Sequence, residues 1–184
     1  MLNARRFGRG LAVAMGLAGL ALGTAALAAK PDTGPTATVK GFFAAFNKGD
    51  VATAEAANAP DVSIIDEVPP HHWSGPGAFK AWAGDLGKHD TAAGLSGQKV
   101  TYNHTDVATV AGDDAYVVSA VTYSYKVHGK PTVEPAHVAV ALHKDGDAWK
   151  IVSWAWAGTV PHAVAPKPAA APAAAPAPAA PAKP

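Results

Sequence analysis

The sequence predicts an α+β domain, with N-terminal helices packed on one face of a curved, mostly antiparallel sheet. Three observations carry this. Apolar residues recur at helical spacing in the first part of the domain, with Val39, Phe42, Phe43 and Phe46 at i, i+3, i+4 and i+7. From Gln98 to Gly158 the chain becomes a succession of β-branched and aromatic runs. Turn chemistry at "AGDD", "HGKP" and Asp145-Gly146 separates those runs, as hairpins require.

The elements follow in order. Residues 33–48, "TGPTATVKGFFAAFNK", form the first helix, capped by Thr33 or Gly34 with Pro35 in its first turn and stopped at Gly49. Asp50 caps a second short helix, "VATAEAAN", that ends before Pro60. "DVSIIDEV" is a strand, and after the double proline Ser74 caps a third helix whose Phe79, Trp82, Ala83 and Leu86 share a face. "QKVTYNHTDVATV", "DAYVVSAVTYSYKV", "TVEPAHVAVALHK" and "DAWKIVSWAWAG" then make a four-stranded meander. Val117 and Val121 lie on one side of their strand and Val118 and Ala120 on the other, so one sheet face lacks a cover, which suggests a homodimer.

Both ends have a different character. Residues 1–28 have the layout of a secretory signal: Arg5, Arg6 and Arg9 precede an apolar run, and Ala26 and Ala28 stand in small-x-small order before a cut. An uncleaved anchor is the competing reading, because a run of roughly 18 apolar residues just spans a bilayer, but its many Gly and Ala residues make it a weak span. A periplasmic or secreted protein with no stable membrane insertion after cleavage is expected. Residues 161–184, almost entirely Ala and Pro, should form an extended, disordered tail. The domain between, residues 29–160, is large enough to hold itself by packing alone, as a chain without cysteine must. A formal charge of +1 with no basic cluster inside the domain gives no reason to propose nucleic acid.

The order helix, "FFAAFNKGD", helix, "DVSIIDEVPPHHWSG", helix, then a meander ending "DAWKIVSWAWAG" resembles the nuclear transport factor 2-like superfamily, in particular its SnoaL-like, ketosteroid isomerase-like branch. The resemblance implies a cone-shaped, cystatin-like fold whose cavity opens between helices and sheet. It implies no single activity, since the superfamily includes isomerases, cyclases, dehydratases, carriers and dimerisation modules.

In the isomerase relatives, an acid at the end of the first strand moves a proton beside a carbonyl, and Asp66 falls at that place. A carboxylate at the mouth of an apolar cavity becomes a stronger base, whereas most strand-end acids are simply solvated. The relatives hold the developing oxyanion with a first-helix tyrosine; Phe42 stands there and has no donor. Tyr102, Tyr123, Tyr125, His104 or His137 could substitute from the strands. Of the five tryptophans, Trp73, Trp82 and Trp154 are candidates to line the cavity and Trp149 is core.

The expected ligand is therefore a small, largely apolar molecule, bound by Trp73, Trp82, Tyr102, His104, Tyr123, His137 and Trp154. Asp66 is the single catalytic candidate, for an isomerase, cyclase or dehydratase; a non-catalytic dimeric module is the further alternative. Nucleophilic catalysis finds no support, with no cysteine, no Gly-x-Ser-x-Gly elbow and no glycine-rich phosphate loop, and no cofactor is expected. No metal is expected either. His71 and His72 are adjacent and point apart, and His137 and His143 are about 20 Å apart along one strand.

Overall fold

The computed structural model describes residues 33–164; the leader-like residues 1–32 and the Ala/Pro-rich residues 165–184 lie outside them. Helix α1 runs Pro35–Lys48 with Gly34 at its N-cap and Pro35 at its first position, where a missing N–H costs nothing. Its apolar stripe buries Val39, Phe42 and Phe43. The helix closes with Gly49 at φ 69°, where the N–H groups of Gly49 and Asp50 return to Phe46 and Ala45 O at 2.9 and 3.0 Å. Asp50 then caps α2 (Val51–Ala56), its Oδ1 accepting the Thr53 N–H at 3.0 Å. The Thr53 hydroxyl first, and that bond next, lower the Asp50 pKa.

Strand β1 (Asn58–Ile65) starts three residues before the sequence suggests and contains Pro60. The strand tolerates the proline because its pairing with the last long strand is interrupted between Asn58 and Ser63, so no ladder N–H is needed there. Asp66 lies just past the strand. A two-residue strand, β2 (His72–Trp73), was not expected; it folds back on β1 with Ile64 opposite Trp73. Helix α3 (Ala78–Ala92) is capped by Gly77 and not by Ser74. Gly77 at φ 81° turns the chain into the helix in a conformation that Ser would adopt only with strain.

The meander is present as β3 (Leu95–Ala111), β4 (Asp114–Val127), β5 (Lys130–Asp145) and β6 (Ala148–Gly158). A last short strand, β7 (His162–Ala163), pairs with Thr132 and Val133 of β5. These two residues lie just past residue 160, and they pair there because β5 outruns β6 and leaves those partners open. The sheet order is β2-β1-β6-β5-β4-β3, antiparallel throughout except for the parallel β1–β6 pair, and it does not close. Val62, Ile64, Val117, Val121, Val138, Val140, Leu142 and Ile151 face the helices and are fully buried. Each contributes about 1.5–3 kcal/mol by leaving water. Among the described residues no helix is long and apolar enough to cross a membrane.

Candidate functional site

Between α1, α3 and the concave sheet face lies a half-open cavity of about 100 Å³. Its walls are aromatic: Phe42, Phe43 and Phe46 come from α1, Trp82 from α3, Tyr123 and Tyr125 from β4, and Trp154 and Trp156 from β6. These rings interlock, with Trp154 edge-on to Trp82 at 5.0 Å and 5.9 Å from Phe42. Phe42 thus belongs to the apolar wall and supplies no donor, as its chemistry requires.

Polar groups interrupt the wall at defined places. Asp66 and Glu67 enter from the loop after β1, and His89 and Asp90 from the last turn of α3. Asp66 Oδ2 accepts the Trp82 indole N–H at 3.0 Å, and its Oδ1 accepts the Val68 N–H at 3.1 Å. Burial raises the Asp66 pKa, and the two donors only partly offset it. Behind Glu67 lies Glu134 of β5, 1% exposed, which takes the Trp156 indole N–H at 3.1 Å. The Glu134 carboxyl stands beside that of Glu67 over Gly158, and the Glu67 pKa is pushed up to about 7, by burial first and by Glu134 next.

Three buried atoms of the lining have no hydrogen-bond partner: the Tyr123 hydroxyl, Trp154 Nε1 and Asp90 Oδ1. Burial also raises the Tyr123 pKa well above its ordinary value, so the hydroxyl keeps its proton at any physiological pH. An unpaired buried donor costs free energy that a ligand acceptor recovers. Two such donors in one aromatic cavity are the chemical signature of this site.

The structure divides the expected binding residues. Asp66, Trp82, Tyr123 and Trp154 line the cavity, and Tyr125 joins them. Trp73, Tyr102, His104 and His137 do not. Trp73 is buried between β2 and α3, donating to Asp85 Oδ2 at 3.1 Å. The Tyr102 hydroxyl bonds Ser119 Oγ at 2.7 Å and is already satisfied. His104 and His137 lie on the opposite, outward sheet face, where their Nε2 atoms stand 2.9 and 3.5 Å from the two oxygens of Asp106. Among the described residues, no group of three His, Cys, Asp or Glu could hold a metal ion.

Sequence reasoning missed Glu67, Glu134 and Asp90. Glu134 was signalled: it shares parity with Ala136, Val138, Val140 and Leu142, all buried on β5. Asp90 stands four residues beyond Leu86 and eight beyond Trp82, on their face of α3. A second groove of about 590 Å³ runs beside Glu55, Asn58, Asp61 and Lys150. It is wider, but it lacks an aromatic cage, and charges such as Glu55 and Lys150 already have partners in Lys80 and the Ala56 carbonyl.

A family model described as a SnoaL-like domain matches residues 36–156. The chain belongs to the SnoaL-like domain family. Solved structures of the same architecture agree on the fold. A ketosteroid isomerase-like protein from Erwinia carotovora atroseptica superposes with a TM-score of 0.57 at 18% identity, covering 68% of this chain and 93% of that one. A hexachlorocyclohexane dehydrochlorinase gives 0.58 at 12% identity, covering 74% and 93%. The CaMKII hub of S. rosetta gives 0.57 at 18% identity, covering 72% and 100%. No curated protein matches the chain in sequence. The SnoaL-like family thus accounts for a sheet that curves around a cavity, and neighbours of such different description leave the chemistry to the residues inside it.

Proposed function

We propose that this SnoaL-like domain binds a small, largely apolar molecule in the aromatic cavity. The carrying observation is the pair of unpartnered buried donors, Tyr123 Oη and Trp154 Nε1, set among apolar rings. Such a lining favours a ligand with an apolar body and an oxygen acceptor at one end. Because Trp82, Trp154 and Trp156 line the cavity, indole fluorescence reports occupancy directly. Titration with small uncharged aromatic ketones and alcohols should give saturable one-to-one binding that Trp154→Phe weakens severalfold. Non-saturable responses across the panel, confirmed by calorimetry, would remove the reading.

Acid–base catalysis is the second reading, favoured by Asp66, a desolvated carboxyl with a raised pKa at the cavity wall. An Asp66-assisted isomerase, cyclase or dehydratase would speed deuterium exchange at a carbon beside the carbonyl of a bound ketone, and Asp66→Asn would abolish it. The leader layout supports export to the periplasm or beyond, testable by the intact mass of protein from the cell envelope. The outward sheet face, with Val107 and Tyr116 exposed, supports a homodimer, testable by light scattering.

A further inference from the structure

Glu67 lines a cavity with no Lys or Arg among its described lining residues, and the Glu134 carboxyl stands beside it, both reaching the same point over Gly158. Glu134 is held on the inward face of β5 directly across from Tyr123 on β4, and Trp156 on β6 fixes its Oε1. Gly158 leaves them room: a Cβ there would run into both carboxyls, so glycine alone lets them share that place without displacement. Two carboxylates this close in a poorly solvated site cannot both stay ionised, and a proton held by one is within reach of the other.

We propose that Glu67 and Glu134 hold one proton between them, so that the pair meets the cavity with one negative charge in place of two and, beside the Tyr123 and Trp154 donors, selects uncharged ligands with an oxygen acceptor over carboxylates. The inference rests on the ligand-binding reading above and names the chemistry of its ligand. Its logic is the division of labour between neighbouring acids. Asp66 has a donor on each oxygen, which favours its carboxylate; Glu67 has Glu134, which favours the acid. The other titratable groups facing the pair are Tyr123 and Tyr125 from β4 and His89 and Asp90 from α3; α1 contributes only Phe42, Phe43 and Phe46. The rise of the Glu67 pKa to about 7 agrees with this arrangement.

Two measurements test it. Carboxyl-carbon NMR titration of the free protein should show one glutamate titrating near 7, absent in Glu67→Gln. In Glu134→Gln it should move at least about one unit toward the ordinary value of 4.5, because the amide still accepts from Trp156 and now donates to a Glu67 carboxylate. No glutamate titrating above about 6, or one unmoved by Glu134→Gln, overturns the shared proton. Should Glu134→Gln fail to fold, the wild-type and Glu67→Gln titrations decide alone.

Fluorescence titration with acetophenone and benzoate then tests selection. Acetophenone should bind at pH 5.5, weaken at least about threefold at pH 8.5, and lose that dependence in Glu134→Gln, while benzoate binds at least about tenfold more weakly at pH 5.5. Equal binding of the two, or acetophenone binding that ignores pH, overturns the selection. If neither probe binds, the cavity reading and the selection built on it both fall, and the shared proton still stands or falls on the titration.

Discussion

Trp82 of α3 donates its indole N–H to Asp66 Oδ2 at 3.0 Å, tying the helix to the loop that leaves β1. The same carboxylate takes the Val68 N–H on its other oxygen. Asp66 is therefore both a wall of the cavity and a bracket between two elements, and its raised pKa shows that desolvation outweighs the help of both donors.

An amide cannot replace that bracket. Asparagine offers one acceptor oxygen, so in Asp66→Asn either Val68 or Trp82 faces an NH₂ group, and the buried indole is the costlier loss. Urea unfolding at pH 7 should show Asp66→Asn less stable by about 1 kcal/mol, and Asp66→Ala less stable still. An unchanged or raised midpoint for the amide would mean that relief from burying the charge exceeds the lost acceptor.

Asn47 secures the other side of the cavity. Its Oδ1 accepts the Val100 N–H at 2.7 Å and its Nδ2 donates to the Val100 carbonyl at 2.8 Å, joining the end of α1 to β3. Asn47→Ala removes both bonds and should cost about 2 kcal/mol in a denaturant melt. Asn47→Asp keeps the first bond but sets a charge against the carbonyl, so it should not restore full stability.

How far the sequence revealed this arrangement depends on how local each feature is. Helix α1 and its stop were legible because the spacing of Val39, Phe42, Phe43 and Phe46 and the Gly49-Asp50 pair act within a few residues. Strand β4 matches its sequence bounds for the same reason, with turn residues at both ends. Strands β2 and β7 were not legible, since two residues carry no periodicity and each forms only because a partner strand has an open edge. In the site, Tyr102 and His104 were both expected to bind the ligand, and strict period-two alternation would put them on one face. Register shifts break that alternation, so Tyr102 pairs with inward Val121 and His104 with outward Ala120. Glu134 could have been found, because parity alone places it on the core face of β5.

Tyr123 separates binding from stability. Its hydroxyl is buried without a partner, so Tyr123→Phe deletes an unsatisfied group while keeping the ring that meets Trp156 at 5.9 Å. The variant should be as stable as the wild type or up to about 1 kcal/mol more stable, yet bind an uncharged ketone severalfold more weakly. A clear loss of stability would show that the hydroxyl has a structural partner in solution.

Stability should also depend on pH through Glu67, and the sign is fixed. Its pKa in the folded protein is about 7 against an ordinary 4.5, so the folded state binds this proton more tightly than the unfolded chain does. The contribution is complete below about pH 4.5 and is lost as pH rises through about 7. Asp66, also raised, acts in the same direction; His143, raised by its hydrogen bond to Asp114, does so at higher pH on the surface. Asp50 and Asp85, both lowered, act oppositely, losing stability only as pH falls below the ordinary carboxylate range. The thermal midpoint should therefore fall from pH 5 to pH 8 in the wild type and fall less in Glu67→Gln. The difference between the two curves cancels His143 and the remaining acids, leaving the Glu67 contribution. Parallel curves across that window would mean that Glu67 titrates as an ordinary surface glutamate, and the proton would have to be assigned elsewhere in the cavity.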